Sequence, residues 1–123
     1  MEFEIDFRAN YFLVTTSGVA KAERFGELLN GIFKHENWKP GGSFITDHSD
    51  LDVSLLTLDD VKQIALVARE RRSKFGVAKH AVVAPRDLTF GLSRMWSAYV
   101  GDETEVVSAI FRSLEEAVEW VSV

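Results

Sequence analysis

The chain has no cysteine. Disulfides, thiolate nucleophiles and cysteine-bound zinc are therefore excluded, and a cytoplasmic location is the natural expectation. Positive charge is also scarce: 14 Lys and Arg stand against 19 Asp and Glu, for a formal net charge of -5. That balance argues against a nucleic-acid binder held by general electrostatics. No apolar run approaches the roughly 20 residues that span a bilayer, so no transmembrane segment is expected. The opening MEFEIDFR alternates acidic and apolar residues, unlike a signal peptide. The histidines are His35, His48 and His80, and none falls in an H-E-x-x-H pattern. There is no G-x-S-x-G elbow, no phosphate-binding G-x-x-x-x-G-K-[ST], and no G-x-G-x-x-G after a strand. Gly41-Gly42-Ser43 reads instead as a loop before a strand. No catalytic residue, cofactor or metal is assigned on these grounds.

What is present is a soluble, globular composition, 46% hydrophobic and 27% charged over 123 residues. It suits one domain spanning the whole sequence. Phe3, Ile5 and Phe7 alternate with Glu2, Glu4, Asp6 and Arg8, the pattern of a half-buried strand. Ala9-Asn10 turns the chain into a second strand over 11–16, so an antiparallel hairpin is expected. Phe25, Leu28, Leu29, Ile32 and Phe33 mark the inner face of a helix over 20–35. After the loop at Trp38-Lys39-Pro40-Gly41-Gly42 comes a short strand over 43–46, with 47–56 expected to be irregular. That stretch holds Asp47, His48, Asp50 and Asp52. Their spacing lacks the glycine and glutamate of a calcium loop, which leaves a solvated acidic loop.

Thr57-x-x-Asp60 is a variant capping box opening a second helix, with Leu58, Val61, Ile64, Ala65 and Ala68 inward. Its basic end over 69–74 complements the helix dipole, and it also suits an acidic partner or anionic lipid. Gly76 stops it. The run Ala81-Val82-Val83-Ala84 has no polar alternation, as a strand covered on both faces requires. Pro85 ends that strand, and Asp87 is the expected N-cap of a helix with Leu88, Leu92, Met95, Trp96 and Tyr99 on its apolar face. Gly91 inside that helix predicts a closely packed neighbour. A turn at Gly101-Asp102-Glu103, a strand over 105–111 and a last helix opened by the capping box Ser113-x-x-Glu116 complete the chain. Trp38 and Trp120 are candidate anchors of a subunit contact. The order is β-β-α-β-α-β-α-β-α. It describes an α/β domain: an N-terminal antiparallel hairpin, an otherwise parallel five-stranded sheet, and four helices.

In an open parallel sheet, ligands gather at the carboxyl ends of the strands, where helix N-termini favour an anion. Those ends lead here to Ser54, Thr57, Arg86, Asp87 and Arg112, the candidate ligand- or partner-binding residues. The same side chains also serve as ordinary caps and solvated arginines.

The hairpin, the segment FITDHSDLDVSLLTLDDV, the strand HAVVAP, the helix D-L-T-F-G-L-S-R-M-W and the closing strand with S-L-E-E-A carry a family resemblance. Together they resemble the SpoIIAA-like family of the STAS superfamily, in particular its small stand-alone STAS/SEC14-like branch. The resemblance implies a SpoIIAA-like fold, a bacterial cytoplasmic setting and a role in binding. In the phosphorylatable antagonists of that family a serine opens the helix after the third strand, in a D-S-S-G context. The matching place falls near Thr57, with Ser54 just upstream, and D-S-S-G is absent. The expected function is a non-enzymatic binding or regulatory module that contacts a protein partner or a second copy of itself. The alternative is a carrier of a small lipid or amphipathic ligand. A small hydrolase is the remote alternative, and it requires serine, histidine and aspartate to meet in space.

Overall fold

Alternating apolar residues lay strand β1 (Glu2–Arg8) against β2 (Tyr11–Val19) as an antiparallel hairpin closing at the Arg8–Tyr11 pair. Ala9 makes the turn at a φ of 48°, in the left-handed region. The computed structural model describes residues 1–101 and 104–123. After the hairpin come α1 (Ala22–Lys34), β3 (Ser43–Asp52), α2 (Leu58–Glu70), the single turn α3 (Arg72–Phe75), β4 (Lys79–Val83), α4 (Asp87–Val100), β5 (Val107–Phe111) and α5 (Leu114–Val121). The sheet order is β1-β2-β3-β4-β5, and every pair after the hairpin is parallel. The order never reverses. Crossovers of one hand therefore stack α1, α2 and α4 over the same face.

Strand periodicity divides the core in two. Phe12, Val14 and Phe44 point to one face, beneath Leu28, Leu29 and Ile32 of α1 and Ala65 and Ala68 of α2. Leu13, Ile45, Ala81 and Val83 point to the other, beneath Ala117 and Val121 of α5. Each large side chain so buried contributes roughly 1.5–3 kcal/mol. The α/β architecture, the hairpin and the parallel order are as the sequence predicts.

One helix more than expected is present. Regular α2 ends at Glu70, and the extra turn α3 carries Phe75 into the core, stacked on Phe44. Gly76 then leaves at a φ of 67°, so close to the loop that a Cβ would sit 2.8 Å from the Gly41 nitrogen. Arg71 donates to the carbonyl of Val67, and Arg72 to that of Arg69, so two of the basic side chains cover the frayed end of α2.

Other local expectations need correction. The third strand does not stop at Thr46; it runs to Asp52, through the stretch expected to be irregular. Between the pairs Thr15–Asp47 and Ser17–Asp50, β2 advances two residues and β3 three. This bulge lets the polar stretch stay in the ladder. Arg86, not Asp87, stands at the N-cap of α4, and no side chain caps it. The Asp87 carboxylate is held by Arg112 at 2.6 Å instead. The inner face of α4 is only partly as expected: Leu92 and Trp96 turn inward, but Leu88, Met95 and Tyr99 are exposed, while Thr89 and Val100 are buried. Gly91 has no neighbour near the position of a Cβ. β5 begins at Val107 rather than at residue 105, and the expected turn at 101–103 falls partly outside the described residues.

Thr57 forms its reciprocal capping box with Asp60. Ser113 accepts from the Glu116 N–H, but the Glu116 carboxylate binds the Ser113 hydroxyl instead of the backbone, so that box is half made. Trp38 is half-buried against Phe12, Phe33 and Phe44, and Trp120 packs on Phe111 beneath Lys79. Among the described residues, no helix is long and apolar enough to cross a membrane.

Candidate functional site

The floor of the site is the α1/α2/α4 face of β3 and β4. Phe44, Thr46 and His48 alternate to that face along β3, and His80 and Val82 along β4. Two of these residues are histidines in an apolar core. His80 is stacked on Phe44 at 4.2 Å between ring centroids, and Trp96 of α4 meets it edge-on at 5.4 Å. Its Nε2 lies 2.9 Å from the Thr46 hydroxyl. His48 has Phe25 of α1 against its ring, and its Nδ1 lies 2.6 Å from the Thr16 hydroxyl. Thr16 also donates to the Asp47 carbonyl at 3.1 Å.

Burial decides the charge of both rings. Desolvation pushes His48 down from an ordinary value of 6.5 to about 4, with the nearby Asp47 charge opposing only in part. His80 falls to about 3, chiefly through burial and further through the charge of His48. Both imidazoles are therefore neutral at neutral pH. Each presents one donor nitrogen and one lone-pair nitrogen.

Above this floor α4 acts as a roof rather than a packed layer. Thr89, Leu92, Ser93 and Trp96 of α4 face down onto it, with Phe25, Leu28 and Leu29 of α1 and Val61, Ile64 and Ala68 of α2 around it. They enclose a partly open cavity of about 80 Å³, which Leu51, Val53 and Leu56 also line. One water needs roughly 10–15 Å³, and a benzene-binding cavity engineered into another protein measures about 150 Å³. The space thus accepts a few heavy atoms, not a whole lipid. Among the described residues no charged side chain lines it; its polar groups are those of Thr46, His48, His80, Thr89, Ser93 and Trp96. A second cavity of about 30 Å³ shares His80 and Trp96 as a wall.

The rim residues expected from the sequence lie outside this space. Arg86 donates to the carbonyls of Ser49 and Leu51 at 2.8 and 3.1 Å, pinning the start of α4 to the bulged end of β3. Arg112 binds the Pro85 carbonyl and Asp87, and lies 4.3 Å over the ring of Phe90. Arg86, Asp87 and Arg112 are thereby brought together at the carboxyl end of β4. Ser54 and Thr57 sit in the β3–α2 connection. The Ser54 N–H donates to Asp52 at 2.9 Å, and hydrogen bonds from the Ser54 side chain and then its backbone hold the Asp52 carboxyl below the usual range. Exposed apolar side chains flank these polar groups: Leu55 at 72%, Leu88 at 53% and Leu58 at 48%.

Sequence reasoning set aside the histidines as scattered and missed the cavity. The available signal was the i, i+2 pattern of Phe44, Thr46 and His48, with His80 in phase with Val82. Among the described residues the three histidines bond to the Asn37 N–H, Thr16 and Thr46. The histidine–carboxylate contact that a serine–histidine–aspartate hydrolase needs is not made.

A sequential sheet opened by an antiparallel hairpin, with α1, α2 and α4 over one face and α5 over the other, is a SpoIIAA-like fold. The likeness extends to a particular protein. An uncharacterised protein of the DUF3478 family from Shewanella loihica, described as having that fold, superposes with a TM-score of 0.62. The match covers 98% of this chain and 92% of that one, at 16% identity, and so concerns the fold. No protein-family model matches the chain, and neither does any curated protein.

Proposed function

We propose that the chain is a non-enzymatic binding module that takes the end of a small, uncharged amphipathic molecule into the cavity beneath α4. The observation that supports this is the wall: apolar side chains with a few convergent neutral polar groups and no charge. An unpaired charge buried there would be strongly unfavourable, so a charged part of any ligand stays at the mouth. The test is calorimetric titration with n-hexanol of the wild type and of Ser93→Phe, whose ring fills the cavity. A saturable site in the wild type, lost in the folded variant, is expected. Titration that never saturates, or a variant that binds as well, would remove the proposal.

A second reading, protein contact through the rim, is supported by the exposed Leu55, Leu58 and Leu88 beside Ser54, Thr57, Arg86, Asp87 and Arg112. It expects Leu55→Asp with Leu88→Asp to abolish a stoichiometric complex, with a partner or a second copy, seen by native mass spectrometry of the wild type. A wild type that stays monomeric and pulls down no stoichiometric partner would count against it.

A further inference from the structure

One ring nitrogen in the cavity wall is of interest. The Thr16 hydroxyl has a single proton and two neighbours, the Asp47 carbonyl oxygen at 3.1 Å and Nδ1 of His48 at 2.6 Å. A carbonyl oxygen only accepts. With the Thr16 proton assigned to it, the proton in the 2.6 Å contact is that of Nδ1. A neutral ring protonated at Nδ1 carries its lone pair on Nε2. Among the described residues nothing donates to Nε2, and the ring lines the cavity. The same wall holds a buried donor without a partner among the described residues, Nε1 of Trp96, so it offers a donor as well as this acceptor.

Resting on the cavity reading above, we infer that the polar end of the ligand is a hydroxyl group on a short aliphatic stem, and that it donates a hydrogen bond to Nε2 of His48. An ether or ketone accepts from Nε1 of Trp96 but brings no donor to the lone pair of His48, whereas a hydroxyl can do both. A carboxylate brings a charge into a wall that has no cation. A hydroxyl is neutral, donates, and fits a space of about 80 Å³ with a short apolar stem. Its oxygen takes the place a cavity water would hold, so the exchange keeps the hydrogen bond and adds apolar contact.

The experiment uses isomer pairs that differ only in the donor: n-butanol against methyl propyl ether, and n-hexanol against methyl pentyl ether. Binding is followed by amide shifts of Thr89, Leu92 and Ser93, and by the nitrogen resonances of the His48 ring. Each alcohol is expected to bind about tenfold more tightly than its ether. The Nε2 resonance moves with the alcohols alone, and His48→Phe erases the preference while keeping the contact with Phe25. The two pairs separate a stem that fits within the space from one that extends out of it. Should His48→Phe not fold, the wild-type Nε2 resonance decides by itself. Alcohol and ether binding equally, with Nε2 unmoved, overturns the hydroxyl assignment and leaves the cavity reading standing. No saturable shift with any probe overturns both.

Discussion

The two faces of the sheet are built from the same strands and obey different rules. On the α5 side, Ile45, Ala81 and Val83 meet Ala117 and Val121 in a closed apolar layer. On the α4 side, their neighbours Thr46, His48 and His80 look into a cavity. Removing two imidazoles and their hydroxyl partners from water is unfavourable in folding. The closed face has no such groups, whereas the other face carries them beside the larger apolar cluster of Phe12, Val14, Leu28, Ile32 and Phe44. The open face gives up packing for a shaped, hydrogen-bonding space.

The largest expected effect is acid lability of the open face. The unfolded chain protonates its histidines near pH 6.5, whereas the folded rings resist until about 4 and about 3. Both values are depressed on folding, so the rings' contribution is complete above pH 6.5 and is lost as pH falls. With both rings the loss approaches about 2.7 kcal/mol per pH unit in that window. Urea melts across it should show this slope, and His80→Phe should roughly halve it. A flat profile would mean that the histidines are not buried neutral.

Truncation tests the difference in packing. Ile45→Ala on the closed face should cost about 3 kcal/mol, because it opens a new hole. Leu92→Ala should cost about 1 kcal/mol, because it only widens an existing space. Equal losses would break the distinction between the faces. Thr46→Val should cost about 1–2 kcal/mol by stranding His80 Nε2, and adding His80→Phe should recover most of it. A double variant as unstable as the sum of the singles would show that the pair is held by packing alone. The smallest effect lies on the roof. Gly91→Ala has open space for its Cβ in a helical position and should stabilise by about 0.5–1 kcal/mol.

The packed parts of both faces were legible in the sequence and the polar wall of the cavity was not, for one physical reason. Ala81-Val82-Val83-Ala84 and the β1 alternation follow hydrophobic periodicity, which reports packing against apolar neighbours. A cavity wall inverts that signal. Asp47-His48-Ser49-Asp50 looks like a loop because its inward residue is a histidine. In α4 the expected inner face holds at Leu92 and Trp96 and fails at Leu88, Met95 and Tyr99, while Thr89 and Ser93 also stand over the space. The capping box at Thr57 and the stop at Gly76 were legible because both are local chemistry. The Arg112–Asp87 and Arg86–Leu51 contacts join segments far apart in sequence, and no local pattern announces them.

The bulge at the end of β3 has an evolutionary corollary. Its supernumerary residue resets odd–even parity, which is how His48 and Leu51, three apart, come to share one compartment. Losing the single codon of Ser49 would therefore heal the ladder: Thr16 would face His48, Ser17 and Gly18 would keep Asp50 and Leu51, and the inward phase of the downstream residues would not change.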